Sequence, residues 1–290
     1  MKYKKKILCF FLCIALMTGL FPVSAAFAAA DWPTDVSISA DGGILMDAGS
    51  GAILYEKNSR EAYYPASITK ILTALVILEN CDLDETVTFS NEAVNTLEPG
   101  ASILGARAGD QLSVRECLYA LLLQSANEVA NALAEHCSGS IDAFAELMNA
   151  KAKELGCKNT HFANPHGLNN ENHKTTPYDM ALILRAAVAN DTFRKIDTTT
   201  SYQFPAIKNA AARTITMGHK MMYKTDSRYY EGIIGGKTGY TSKAGNTLVT
   251  AVERDGVRLI AVVMKAKGTH YTDTRAMLDY GFALHDAGKI

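Results

Sequence analysis

The sequence predicts a mixed α/β (α+β) domain: one antiparallel sheet collecting strands from both ends of the chain, with helices inserted between. Three observations lead there. "GGILMDAGSGAILYEK" (42–57) holds two short apolar runs around Asp47-Ala48-Gly49-Ser50-Gly51, a hairpin pattern. "NTLVTAVERDGVRLIAVVMKA" (246–266) holds two more, joined at the tight-turn dipeptide Asp255-Gly256. Between them, apolar residues recur at helical spacing. With 290 residues, 48 % hydrophobic and 20 % charged, the chain can bury a large core, and disorder is not expected. The expectation is one domain over 31–290, with a helical subdomain over roughly 85–190.

The first stretch stands apart from that domain. "MKYKKK" is basic, "ILCFFLCIALMTGLFPV" is apolar, and "SAAFAAA" supplies small residues, with Ala26-Phe27-Ala28 fitting an A-x-A cleavage pattern. Residues 1–28 therefore read as a signal peptide cleaved near 28–30, rather than as a retained membrane anchor. Cys9 and Cys13 lie inside the apolar run without a lipid-attachment context. The mature chain is expected outside the cytoplasm, and no later apolar stretch is long enough to span a bilayer. Removing residues 1–28 removes four lysines and no acid, leaving 25 basic against 30 acidic residues, net −5. That balance argues against a nucleic-acid partner.

"PASITKILTALVILE" (65–79) reads as a helix from Ile68 on, apolar almost all round, with Lys70 in its first turn and Ser67 one turn earlier. Residues three apart share a helix face. Burial lowers an amine's pKa, and a neutral amine beside a hydroxyl is a general base beside a nucleophile. Ser67 as a plain N-cap and Lys70 reaching to the surface is the bland alternative.

Next comes "SVREC", a helix start with Ser113 and Glu116 as a capping box. "LLLQSANEVANALAE" (121–135) interrupts two helical stretches at Ser125-Ala126-Asn127. Ser125 and Glu128 fit a second capping box there; in the functional reading the Ser125 hydroxyl moves a proton and the Asn127 amide holds substrate. "IDAFAELMNAKAKELG" is an amphipathic helix closed by Gly156. "TPYDMALILRAAVAN" opens with Thr176 as cap, Pro177 at the first position and Asp179 in the first turn. "GIIGGKTGYTSKAGN" (232–246) places Lys237-Thr238-Gly239 among Gly232, Gly235, Gly236 and Gly245, and glycines in a strand mark close approach of a backbone or ligand. "TDTRAMLDYGFALHDA" closes as a helix.

No metal and no other cofactor are expected. His161, His166 and His173 share one loop without HExxH geometry, and no C-x-x-C occurs. Cys81, Cys117, Cys137 and Cys157 read as small hydrophobes in or beside helices, and their spacing does not say whether two of them bridge.

S-x-x-K at Ser67–Lys70, Ser125-Ala126-Asn127, and Lys237-Thr238-Gly239 follow the order of the set shared by penicillin-binding proteins and class A β-lactamases. With "HFANPHGLNNENHKTTPYDMA", the chain from about Asp41 on resembles the low-molecular-mass penicillin-binding proteins, the serine-type D-alanyl-D-alanine carboxypeptidases (peptidase S11). The resemblance implies their fold, with the site between sheet and helices. It implies peptidoglycan stem peptides as substrate and β-lactams as acylating inhibitors. It makes Ser67 the nucleophile, Lys70 the base, and Ser125, held by Lys70 and Lys237, a proton carrier. Asn127, Lys237, Thr238 and Gly239 would bind substrate, the N–H groups of Ser67 and Tyr240 would form the oxyanion hole, and His166 would support the site. Ala126 stands where many relatives carry glycine. The chain ends without the C-terminal β-domain and membrane helix of some relatives, which leaves membrane attachment in doubt. A serine β-lactamase is the nearest alternative, but the region corresponding to its glutamate loop, "NPHGLNNENHKTTPYDM", offers only Glu171. A non-catalytic sensor or wall-binding module is the other.

Overall fold

The structure, a computed structural model, describes residues 36–290. The signal peptide expected over 1–28 lies outside the described residues. Chain order is β1 (Gly42–Asp47), β2 (Ile53–Lys57), a 3-10 turn (Ala66–Thr69), α1 (Lys70–Asn80), β3 (Thr86–Thr88), α2 (Asn91–Asn95), β4 (Gln111–Ser113), α3 (Val114–Leu123), α4 (Asn127–Ser138), α5 (Ile141–Glu154), α6 (Pro177–Ala187), α7 (Asp191–Asp197), β5 (Ser201–Phe204), β6 (Arg213–Thr216), β7 (Ile233–Thr241), β8 (Gly245–Arg254), β9 (Val257–Ala266) and α8 (His270–Asp286).

The main sheet has five antiparallel strands in the order β2-β1-β9-β8-β7. Both expected hairpins are in it. The β8–β9 turn puts Asp255 at φ 51° and Gly256 at φ 82°, the doubly left-handed turn that matches the twist of paired strands. The alternation of side chains gives the sheet two buried faces. Ile44, Met46, Ile260 and Val262 point into the core shared with the helices, while Leu45, Leu259, Ala261 and Val263 point into the core closed by Met277, Leu278 and Phe282 of α8.

The capping box at Ser113 and Glu116 forms, and Thr176 caps α6 with Pro177 at its start. The second box does not form. Ala126 occupies the N-cap position of α4, and Glu128 turns its carboxylate to the backbone N–H groups of Leu104, Gly105 and Ala106, at 2.7, 2.8 and 3.3 Å. A loop of three orphan donors outcompetes the helix's own end. The pairs β3–β4 and β5–β6 are three or four residues long, too short for their alternation to show in sequence. Among the described residues no helix is long and apolar enough to cross a membrane.

Candidate active site

Ser67 sits in the 3-10 turn, one step before α1, because Ala66 takes a left-handed φ of 52° that re-aims the chain. For a non-glycine residue that conformation costs about 1–2 kcal/mol, so neighbours must hold it. The Thr69 hydroxyl donates to the Ala66 carbonyl at 2.9 Å and lies 2.9 Å from His173 Nε2. His173 Nδ1 accepts the Ala163 N–H at 3.0 Å, so the ring proton sits on Nε2 and is donated to Thr69. Burial pushes His173 down to about 3, which keeps it neutral. On the other side, Thr247 of β8 donates to the Pro65 carbonyl at 2.9 Å.

The loop 164–168 locks the same turn. Gly167 has φ +91°, and a Cβ there would lie 1.9 Å from the Ala66 carbonyl oxygen. Backbone overlap at that distance cannot be relieved by a rotamer change. Gly167→Ala is therefore expected to cost about 3 kcal/mol or more, combining left-handed strain with overpacking, and to slow acylation by displacing Ser67. Denaturant unfolding together with a penicillin acylation rate checks this; an Ala variant of native stability and rate would mean the turn is not held from this side.

Lys70 has no solvent exposure. Its Nζ lies 2.6 Å from Asn127 Oδ1, 2.6 Å from the His166 carbonyl oxygen and 3.1 Å from Ser67 Oγ. An ammonium donates to all three. A neutral amine has two N–H bonds and one lone pair, so it can serve the two carbonyl acceptors and still accept the Ser67 hydroxyl proton. Burial, reinforced by the charge of Lys237, pushes Lys70 well below an ordinary lysine, with Glu128 opposing.

The site's other wall is β7, an edge strand. Gly236 donates its N–H to Asp197 Oδ2 at 2.6 Å, away from β8. Backbone direction alternates along a strand, so the N–H groups of Thr238 and Tyr240 also point outward. Gly239 lets this strand approach: a Cβ there would lie 2.8 Å from the Ser67 nitrogen and 2.4 Å from Thr247 Oγ1. Ser67 and Tyr240 both line one cleft of about 300 Å³, lined also by Glu98–Ser102, Asn127, Leu168 and Asn169. Asn127 pins that loop, giving its Nδ2 proton to the Ser102 carbonyl at 3.0 Å. Lys237 is buried and donates to the Thr238 carbonyl at 3.1 Å; burial pushes it down to about 8, and Asp197 opposes.

Two expected residues differ in detail. The Ser125 hydroxyl, on a residue with φ 60°, is buried and makes no hydrogen bond to either lysine. Lys70 is saturated by its three partners, and Lys237 turns to Thr238. His166 contributes its backbone carbonyl to Lys70, while its Nδ1 accepts the Leu168 N–H at 3.1 Å. Sequence reasoning missed the Thr69–His173 support and Asp197 beneath β7. Threonine three residues after Ala66 was the available signal for the first; only the fold brings Asp197 there.

A family model described as D-alanyl-D-alanine carboxypeptidase matches residues 27–268. D-alanyl-D-alanine carboxypeptidase DacF of Bacillus subtilis is 34% identical over 287 residues, 96% of this chain and 72% of that protein. DacB2 of Mycobacterium tuberculosis is 36% identical over 85% of this chain and 84% of its own length. The crystal structure of the Streptomyces K15 DD-transpeptidase superposes with a TM-score of 0.79 at 32% identity, covering 87% of this chain and 100% of that one. With a family match over most of its length, the chain belongs to the D-alanyl-D-alanine carboxypeptidase family.

Proposed function

We propose that the protein is a serine carboxypeptidase that removes the terminal D-alanine from peptidoglycan stem peptides ending in D-Ala-D-Ala, and that penicillins acylate the same serine. The observation that carries this is the three-way placement of the buried Lys70 amine, with a lone pair available to Ser67 once two carbonyls are served. Ser67 Oγ attacks the penultimate carbonyl as its proton passes to Lys70. The negative charge on the former carbonyl oxygen faces the N–H groups of Ser67 and Tyr240. Collapse breaks the C–N bond, and the leaving amine of D-alanine takes a proton from Lys70, directly or through the Ser125 hydroxyl. Water then cleaves the ester, restoring Ser67 and releasing the shortened peptide. Asn127 orients Lys70, and Lys237 and Thr238 receive the terminal carboxylate. The basic, apolar and small-residue succession at the N-terminus supports action outside the cytoplasm.

The test is mass analysis of a pentapeptide stem incubated with the protein, repeated across pH. Loss of one alanine is expected; an intact peptide with a slowly acylated enzyme would point to a sensor. The sign of the pH effect follows from the two lysines. Lys70 must be neutral, so the rate rises with pH through a group well below the ordinary lysine range. Lys237 must be charged to hold a carboxylate, so KM should climb above about pH 8. The kcat/KM profile is expected to be a bell. A KM unchanged into the alkaline range would remove Lys237 from the carboxylate site.

A further inference from the structure

At the ends of α1 and α4 opposite to Lys70 and Asn127, a second group of reactive side chains converges. Cys81 terminates α1, Glu85 lies in the loop before β3, and His136 and Cys137 occupy the last turn of α4. The Cys81 sulfur, a Glu85 carboxylate oxygen and a His136 ring nitrogen all lie within 4.8 Å of one another. The Cys137 thiol is a neighbour of the Cys81 thiol. We propose that these four side chains form a structural site for a borderline-soft divalent cation of the zinc class.

The donor set is the first reason. Two sulfurs, an imidazole and a carboxylate suit Zn²⁺ rather than the oxygen-seeking Ca²⁺ or Mg²⁺. Distance is the second. Metal–sulfur bonds of about 2.3 Å and metal–nitrogen bonds of about 2.0 Å put tetrahedral ligands about 3.3–3.8 Å apart, so Cys81, Glu85 and His136 close by at most about 1.5 Å. His136 Nε2 and Glu85 Oε2 are already 2.8 Å apart and would separate slightly.

The third reason is that the scaffold is fixed. Glu85 Oε1 accepts the Asp82 N–H at 2.6 Å, the Glu85 carbonyl accepts the Val114 N–H at 3.0 Å, and Leu83 accepts Arg115 at 2.9 Å. The Cys81 N–H is held by Ile77 at 2.9 Å. Glu85 and Asp82 also place negative charge beside Cys81, a potential that a dication neutralises. Binding would release the two thiol protons to solvent as both sulfurs become thiolates, with His136 neutral and Glu85 ionised. No C-x-x-C or HExxH spacing announces the site, because its two halves meet only where the helices end.

The test uses the reduced protein, stripped with a chelator under anaerobic conditions and titrated with Co²⁺ and then Zn²⁺. One equivalent of Co²⁺ should bind with a thiolate charge-transfer band and tetrahedral d–d bands, Zn²⁺ should displace it, and the melting temperature should rise by several degrees. Cys81→Ser and His136→Ala should each lose the band and the thermal shift, whereas Cys157→Ser should keep both. Absence of the band at about tenfold excess of cation overturns the proposal, as does a band that survives Cys81→Ser. So does a Cys81–Cys137 disulfide in protein isolated from an exporting cell, seen as the loss of two hydrogens in intact mass, since it consumes both thiolates. Penicillin acylation reads the other end of the helices, so failure here leaves the proposed reaction standing.

Discussion

Ser67→Ala is expected to lower covalent labelling by a fluorescent penicillin at least about a thousandfold, the scale for losing a nucleophile, with almost no change in melting temperature. The two halves of that expectation have separate causes. The Ser67 hydroxyl takes no part in capping the 3-10 turn, which Thr69, Thr247 and backbone groups satisfy, so removing it leaves the fold intact. Its hydrogen bond is with the Lys70 amine, 3.1 Å away. The variant therefore keeps the cleft and the oxyanion donors but has no oxygen to acylate. Ser125 is the other serine singled out by the motif set. Labelling that persists in Ser67→Ala and disappears in Ser125→Ala would transfer the nucleophile's role and sink the mechanism.

Lys70→Arg should slow acylation by roughly two orders of magnitude or more, the usual scale for loss of a general base. Arginine keeps a positive charge under all protein conditions and has no lone pair to offer. It can still donate to Asn127 and the His166 carbonyl, so a purely structural lysine would tolerate the exchange. The substitution separates charge from basicity. Stopped-flow acylation by penicillin, with circular dichroism as the check on folding, gives the answer. Near-native rates in the Arg variant would show that Lys70 only braces the helix.

Much of this was legible in the sequence, for reasons that differ by element. The hairpins at Asp47–Gly51 and Asp255-Gly256, and the caps at Ser113 and Thr176, depend on contacts a few residues away, and local rules found them. Glu128 was misread because its spacing from Ser125 mimics a local contact, while the loop at 104–106 takes the carboxylate instead. The outward aim of the Tyr240 N–H followed only from where Gly236 donates, which requires knowing that β7 is an edge. Gly167 could be seen as a glycine in a turn, but not that Ala66 would leave no room for anything larger. The Cys81–His136 cluster was invisible because neither half contains a recognisable ligand pair.

The pairing of β1 with β9 sets the order in which the molecule can mature. Gly42 pairs with Met264 and Asp47 with Leu259, so the first strand waits for almost the whole chain before it has that partner. Contacts so distant in sequence make folding slow, because the loop must close before the pairing stabilises anything. The turn that carries Ser67 rests on Thr247 and Gly239, which arrive late in synthesis. An emerging chain thus has its serine long before it has a working cleft, and nascent or prematurely terminated molecules stay inert toward both substrate and drug until the last strands are in place.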